Sequence, residues 1–464
     1  VKKFSRKVLE ARLEESIRRH RVPGAQLAVL QGDAVTEVAA GVLSLRTRQP
    51  VTTDALFLPG SIGKLYTATM VMSLVEQGKV DLDAPIRTYL RDFQTADPAA
   101  ASSVTVRNLL SHTSGFDGDH FADTGRGDDA LARYVEGCTA LPQICAPGTA
   151  WSYSNTGYGI LGRIAEVVTG QVFEEVLRDR VLDPLGVRHT VLFPEDVLTH
   201  PAAIGHVPDP AHPRRHIVTP QWGMHRSLGP MGASIVASAG DVMEFLRMHL
   251  RGGTAAGGRR ILKANTVRAM QVQQVSLLDP TLGEGWGLGW ILDHWGGIPV
   301  VGHDGNSLGQ NAFARVAPGP GFGFCLQTNV ESAVSMYREL AAWLFEGALG
   351  VTPHPAPRPG RVRAVADQGR FAGNYRREGI DILVSPVSGG ALVASVSVTR
   401  KDASTASLPP MQGLPLKPVG GDVFLLKLPI ADEALSAIFF NPDGAGARPT
   451  FLHFGGRASR RVDE

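Results

Sequence analysis

Every second residue from Pro353 to Pro359 is a proline, and neither a helix nor a central strand survives that pattern. The stretch Thr352-Pro353-His354-Pro355-Ala356-Pro357-Arg358-Pro359-Gly360 is therefore a stiff connection. It divides a chain of 464 residues into two unequal parts. The expected boundaries are 1–352 for a first domain, 353–369 for the linker and 370–464 for a second domain.

The pattern differs on the two sides. Before the linker, helical and strand periodicities are mixed. Val8, Leu9, Leu13 and Ile17 form one helical stripe, and strand-like runs at 24–30 and 35–42 flank the turn pair Gly32-Asp33. Further helices are expected over 61–76, 105–110, 158–168, 239–250 and 337–346. Strands are expected at 312–316 and 322–326, while Val300-Val301-Gly302 is expected to lead into a loop. Helices beside hairpins imply an antiparallel sheet flanked by helices. After residue 371 the chain turns to short β-like runs between glycines, which implies a small barrel or sandwich.

Hydrophobic residues at 43% and charged residues at 19% describe a globular chain. A formal net charge of +2, from 46 basic against 44 acidic residues, gives no electrostatic ground for a nucleic-acid or membrane partner. No apolar run reaches membrane-spanning length. Cys138, Cys145 and Cys325 form no CxxC pair, and no apolar segment follows the basic start Val1 to Lys7. The expectation is a soluble cytoplasmic protein without a disulfide framework.

Three short motifs can carry chemistry. Ser61-Ile62-Gly63-Lys64 follows Pro59-Gly60 at the start of a helix. A serine becomes nucleophilic only when a base takes its proton, and a lysine one turn on can reach its oxygen. Tyr153-Ser154-Asn155 follows a Pro-Gly turn; a phenol can relay protons and an amide can hold a carbonyl. His303-Asp304-Gly305 places a titratable ring and an open backbone together. Taken singly, each is more economically a helix cap, an Asx turn or a Gly-rich turn. Their order and setting together point further.

The three motifs, with Leu109-Leu110-Ser111-His112-Thr113-Ser114-Gly115 and Gly285-Trp286-Gly287-Leu288-Gly289-Trp290, resemble the class C β-lactamase and penicillin-binding-protein-like serine hydrolases over about residues 7 to 350. The resemblance implies an α/β (α+β) sandwich of antiparallel sheet and helices with a helical lobe near 80–230. A small C-terminal all-β, lipocalin-like domain would follow. It implies Ser61 as nucleophile, with Lys64 and Tyr153 sharing acid and base work. His303 would sit beside Tyr153, and Asn155 would bind the substrate amide. Ser61 and Asn306, following Gly305, would supply the oxyanion-binding N–H groups. Trp222 and Gly232 resemble cleft-lining residues of the same family.

His303 stands where many members have lysine, which is a poorer fit to a β-lactam carboxylate. The resemblance then points to the penicillin-binding-protein-type thioesterase branch, acting on a peptidyl (thio)ester, on a carrier protein or free. An esterase or D-aminopeptidase, and a non-catalytic binding protein, are the alternatives. No cofactor and no metal are implied. His206, His212, His216 and His225 lie in a Pro-rich loop with no completing ligand, and Asp117 to Asp129 lacks calcium-loop spacing. Arg457, after Gly455-Gly456, is either a solvated charge near the chain end or a fork aimed at the cleft to bind a carboxylate.

Overall fold

The computed structural model describes residues 3–209, 211–212, 215–360, 364–399, 411–429, 431, 433–442, 444 and 448–462. Val1, Lys2, Pro213 and linker residues 361–363 lie outside them.

The N-terminal part is built on one eight-stranded antiparallel sheet. Helix α1 (Arg6–His20) is capped by the Ser5 side chain and stopped by Arg21 at a left-handed φ of 55°. Strands β1 (Gly24–Gln31) and β2 (Ala34–Gly41) form the hairpin expected from Gly32-Asp33. Helix α2 spans Gly63–Glu76 and is buried along most of its length. Helix α3 (Asn155–Thr169) starts at the Ser154 side chain, which accepts from Gly157 N at 3.0 Å. Helix α4 (Ala239–Leu250) is capped in the same way by Ser238.

The remaining strands are β3 (Val275–Ser276), β4 (Gly285–Trp286), β5 (Ile291–Trp295), β6 (Ile298–Ser307), β7 (Gln310–Ala317) and β8 (Phe322–Thr328). They are followed by α5 (Val334–Leu349). The sheet order is β2-β1-β8-β7-β6-β5-β4-β3.

Both faces of the sheet are covered, so its central strands are apolar on both sides. Leu27 and Val29 join Leu9, Leu13, Leu340 and Phe345 in the core under α1 and α5. Ala28 and Leu30 join Leu65, Tyr66, Leu161, Phe245 and Leu246 under α2, α3 and α4. Short helices between residues 98 and 185 form the helical lobe.

One expectation fails here. Residues after Gly302 continue β6 instead of entering a loop, paired with β7 from Val301↔Val316 to Ser307↔Gln310. The glycines that suggested a loop are there because backbone comes close: a Cβ at Gly302 would lie 1.9 Å from Ala314 O. The histidine-bearing "loop" also contains a small ribbon, His206–Pro208 paired with His216–Val218.

After the linker, eight strands form a closed antiparallel barrel: β9 (Gly373–Arg377), β10 (Ile380–Val387), β11 (Ala391–Val398), β12 (Met411–Gly420), β13 (Val423–Leu426), β14 (Leu435–Phe440), β15 (Phe451–Phe454) and β16 (Arg457–Val462). Closure is made by Asn374↔Val462. Side chains including Phe371, Tyr375, Phe424 and Phe439 fill the interior, so it is a packed core. No helix among the described residues is long and apolar enough to cross a membrane.

Candidate active site

Ser61 lies in a short 3₁₀ turn, Gly60–Ile62, immediately ahead of α2. Lys64, in the first turn of α2, donates through Nζ to Ser61 Oγ at 3.1 Å. Its other close acceptor is the carbonyl of Met231. Lys64 is fully buried and, among the described residues, hydrogen-bonds to no carboxylate. Burial, followed by the charge of Arg457, holds its pKa well below the usual lysine value, against an opposing pull from Asp119. An amine so placed can be neutral and accept the serine proton.

Missing side chains let backbone close around Ser61. Gly232 has φ +109°, and a Cβ there would lie 2.3 Å from Gly60 O. At Gly305 a Cβ would lie 1.8 Å from Pro59 O and 3.1 Å from Ser61 N. The backbone of Asn306 packs directly on Gly60. Thus β6 and the Met231-Gly232 segment flank the serine turn.

Tyr153 is half-buried and faces both Lys64 and Arg457. Lys64 Nζ lies 5.0 Å, and the Arg457 guanidinium carbon 4.9 Å, from its ring centroid. Burial raises the phenol pKa above its usual value, while the nearby Ser61 hydroxyl and Arg457 oppose the rise. Tyr153 Oη lies near the Ser61 hydroxyl and has no hydrogen-bond partner among the described residues.

The His303 ring centroid is 6.1 Å from that of Tyr153. Its Nδ1 lies 2.6 Å from Asp304 O, and a carbonyl can only accept, so Nδ1 carries the hydrogen. Nε2 is a buried acceptor without a partner among the described residues. Burial, then the Lys64 charge, pushes the pKa down to about 3, so the ring is neutral at pH 7. It does not replace the cation that lysine would bring.

Asn155 is buried at the start of α3 and donates from Nδ2 to Asp119 Oδ1 at 2.8 Å. Trp222 is bound through its indole N–H to Ala203 O at 3.0 Å. It lines a cavity of about 420 Å³ with Leu58, Phe193 and Met224.

Arg457 does reach this site, as the first residue of β16 after the Gly455-Gly456 turn. Its fork closes on Asp119 of the same chain, with Nε to Oδ2 at 2.9 Å and Nη2 to Oδ1 at 3.0 Å. Arg377 Nη1 adds a bond to Oδ2 at 2.9 Å. Tyr153 N also donates to Gly456 O at 2.9 Å, and Ala458 N to Ser152 Oγ at 3.1 Å, so the barrel is docked on the Tyr153 loop. Burial would raise the Asp119 pKa, but the charges of Arg457 and Arg377, with hydrogen bonds from Arg457 and Asn155, hold it well below the carboxylate range.

Asp119, Arg377, the Met231 carbonyl and His112 escaped the motif reading. His112, at φ 57°, accepts from Ser154 N through Nδ1 at 3.0 Å, with its ring 4.3 Å from Tyr153. The sequence signal was present only as text around His112 and as an acidic Gly-rich loop at Asp119. His206, by contrast, is internal: Leu45 N donates to its Nε2, and Nδ1 meets Asn329 O at 2.7 Å.

A serine beside a buried lysine and a phenol, in a sheet-and-helix sandwich, defines a serine hydrolase of the β-lactamase and penicillin-binding-protein type. The chain belongs to the Beta-lactamase family, which matches residues 7–348. Penicillin-binding protein 4 of Amycolatopsis lactamdurans is 44% identical over 370 residues, covering 78% of this chain and 94% of that one. Unguisins hydrolase ungD of Aspergillus violaceofuscus (strain CBS 115571) is 24% identical over 345 residues, 69% of this chain and 60% of that one. The crystal structure of SurE aligns at 29% identity and a TM-score of 0.79, covering 98% of this chain and 99% of that chain; SurE has also been solved with D-Leu, with a TM-score of 0.76 at 28% identity and the same coverage.

Proposed function

We propose that this protein is a penicillin-binding-protein-type thioesterase that releases a peptidyl chain by macrocyclisation or hydrolysis. Ser61 Oγ attacks the thioester carbonyl carbon while neutral Lys64 takes its proton. The carbon–sulfur bond breaks and the thiol leaves with a proton, giving an acyl-serine. The peptide's own amine, or water, then attacks the acyl carbon. Tyr153 and Lys64 return the displaced proton to Ser61 Oγ. The N–H groups of Ser61 and Asn306 receive the oxyanion, Asn155 holds a chain amide, and neutral His303 offers Nε2 to the attacking group.

The observation that carries this reading is the barrel docked on Tyr153 through Gly456 and Arg457. A cap at the serine favours a tethered amine over bulk water. The likeness to SurE runs through the barrel as well as the hydrolase part, and D-Leu in one SurE structure supports a donor ending in a D-residue. The likeness to a hydrolase of unguisins favours the second reading, hydrolytic release by an esterase or peptidase-like enzyme.

The test is a soluble peptidyl thioester mimic ending in a D- or an L-residue, with products and enzyme followed by mass spectrometry. The D-donor is expected to add its acyl mass at Ser61 and give cyclic product, and Ser61→Ala to give neither. Equal rates for both donors with linear product only would favour the broad esterase, and acylation persisting in Ser61→Ala would move the nucleophile elsewhere.

A further inference from the structure

A second cluster of chemistry-bearing side chains lies at the start of the linker. Glu284, Asp293 and His354 each offer one ligand atom, and these atoms lie within 4.8 Å of one another. Glu284 precedes β4, Asp293 is on β5, and His354 stands between Pro353 and Pro355. One step beyond the Gly285↔Leu292 pair, Glu284 faces Asp293 across the ribbon. Like charges set opposite one another destabilise a strand pair unless something positive sits between them.

The two spacings from the imidazole are those of ligands on one small ion. His354 Nε2 lies 3.1 Å from Asp293 Oδ1 and 3.6 Å from Glu284 Oε1. Tetrahedral zinc with bonds near 2.0–2.2 Å sets its ligand atoms about 3.3 Å apart. The remaining oxygens are oriented from behind. Trp295 Nε1 donates to Asp293 Oδ2 at 2.7 Å, and His294 Nδ1 lies 2.8 Å from Glu284 Oε2. Such outer partners fix ligating carboxylates. The linker is already laid on this edge, because Val351 packs against the Gly296 turn between β5 and β6. An imidazole with two carboxylates suits a first-row divalent ion, whereas magnesium and calcium take oxygen alone.

We propose that Glu284, Asp293 and His354 form a zinc site that clamps the interdomain linker to the β4–β5 edge of the sheet. The clamp is remote from Ser61 in the chain and takes no part in acyl transfer. It fixes the path by which the chain leaves the catalytic domain for the barrel.

The full-length protein, stripped with a chelator, is titrated with zinc chloride by calorimetry. One zinc per chain is expected, with a raised thermal midpoint and slower proteolysis of the linker. His354→Ala and Asp293→Asn are each expected to weaken binding about tenfold or more, while a small ester still acylates Ser61 in His354→Ala. No zinc uptake by the unmodified protein overturns the site. So does unaltered uptake in His354→Ala, which would place the ion elsewhere.

Discussion

Arg457 and Asp119 are 338 residues apart and form a two-bond fork at 2.9 and 3.0 Å. The same carboxylate takes Arg377 from the barrel and Asn155 from α3. One buried anion therefore joins the two domains beside Tyr153. The arginine fork expected for a substrate carboxylate is already closed on a carboxylate of the chain itself.

Arg457→Ala removes both fork bonds and the guanidinium over Tyr153. Breaking a buried pair costs about 3–5 kcal/mol, and Arg377 stays behind to reduce the loss toward the lower figure. The expected outcome is a lower melting temperature and a shift from cyclic to linear product. Arg457→Lys keeps the charge without the planar fork and is expected to remain defective. Calorimetry and product analysis check this; wild-type melting and products would make the fork dispensable.

Asp117 behaves in the opposite sense to Asp119. Burial pushes its pKa from 3.8 up to about 6, against a 2.5 Å hydrogen bond from Glu378 N and the charge of Arg377. The folded protein holds that proton more tightly, so the stabilisation is full below pH 3.8 and is lost as pH rises through about 6. At pH 8 the ionised group costs about 3 kcal/mol. Asp117→Asn, which can still accept from Glu378 N, is expected to raise the melting temperature at pH 8 and change little at pH 4. A melt series across pH reads this directly.

The rate should depend on Lys64 being unprotonated. kcat/KM is expected to rise with pH to a plateau, with its midpoint well below 10.5 because burial and Arg457 depress the lysine. His303, at about 3, contributes no inflection near neutrality. His303→Gln should lower the rate without moving the midpoint, and Lys64→Arg should abolish the profile. A midpoint that shifts in His303→Gln would identify the histidine as the titrating group.

Gly232→Ala inserts a methyl 2.3 Å from Gly60 O at a φ of +109°. The turn carrying Ser61 has to move, and misplacement by about 1 Å costs about a hundredfold in rate. A large fall in kcat with a small change in melting temperature is expected. Unaltered turnover would show that the turn tolerates the shift.

The hairpin at Gly32, the existence of the main helices and the β-rich C-terminal part were legible in the sequence, because each follows from local backbone chemistry. The contact between Ser61 and Lys64 was legible for the same reason, since three residues along a helical turn fix two side chains on one side. Helix boundaries were less so: α3 begins at Asn155, three residues before its apolar pattern, because the Ser154 cap sets the start. The extension of β6 past Gly302 was hidden, as its glycines answer to the Ala314 and Pro59 carbonyls across the sheet. Only the tertiary structure decided what Arg457 holds. A buried charge is set by whichever opposite charge the fold brings to it, and no spacing along the chain encodes Asp119 as that partner.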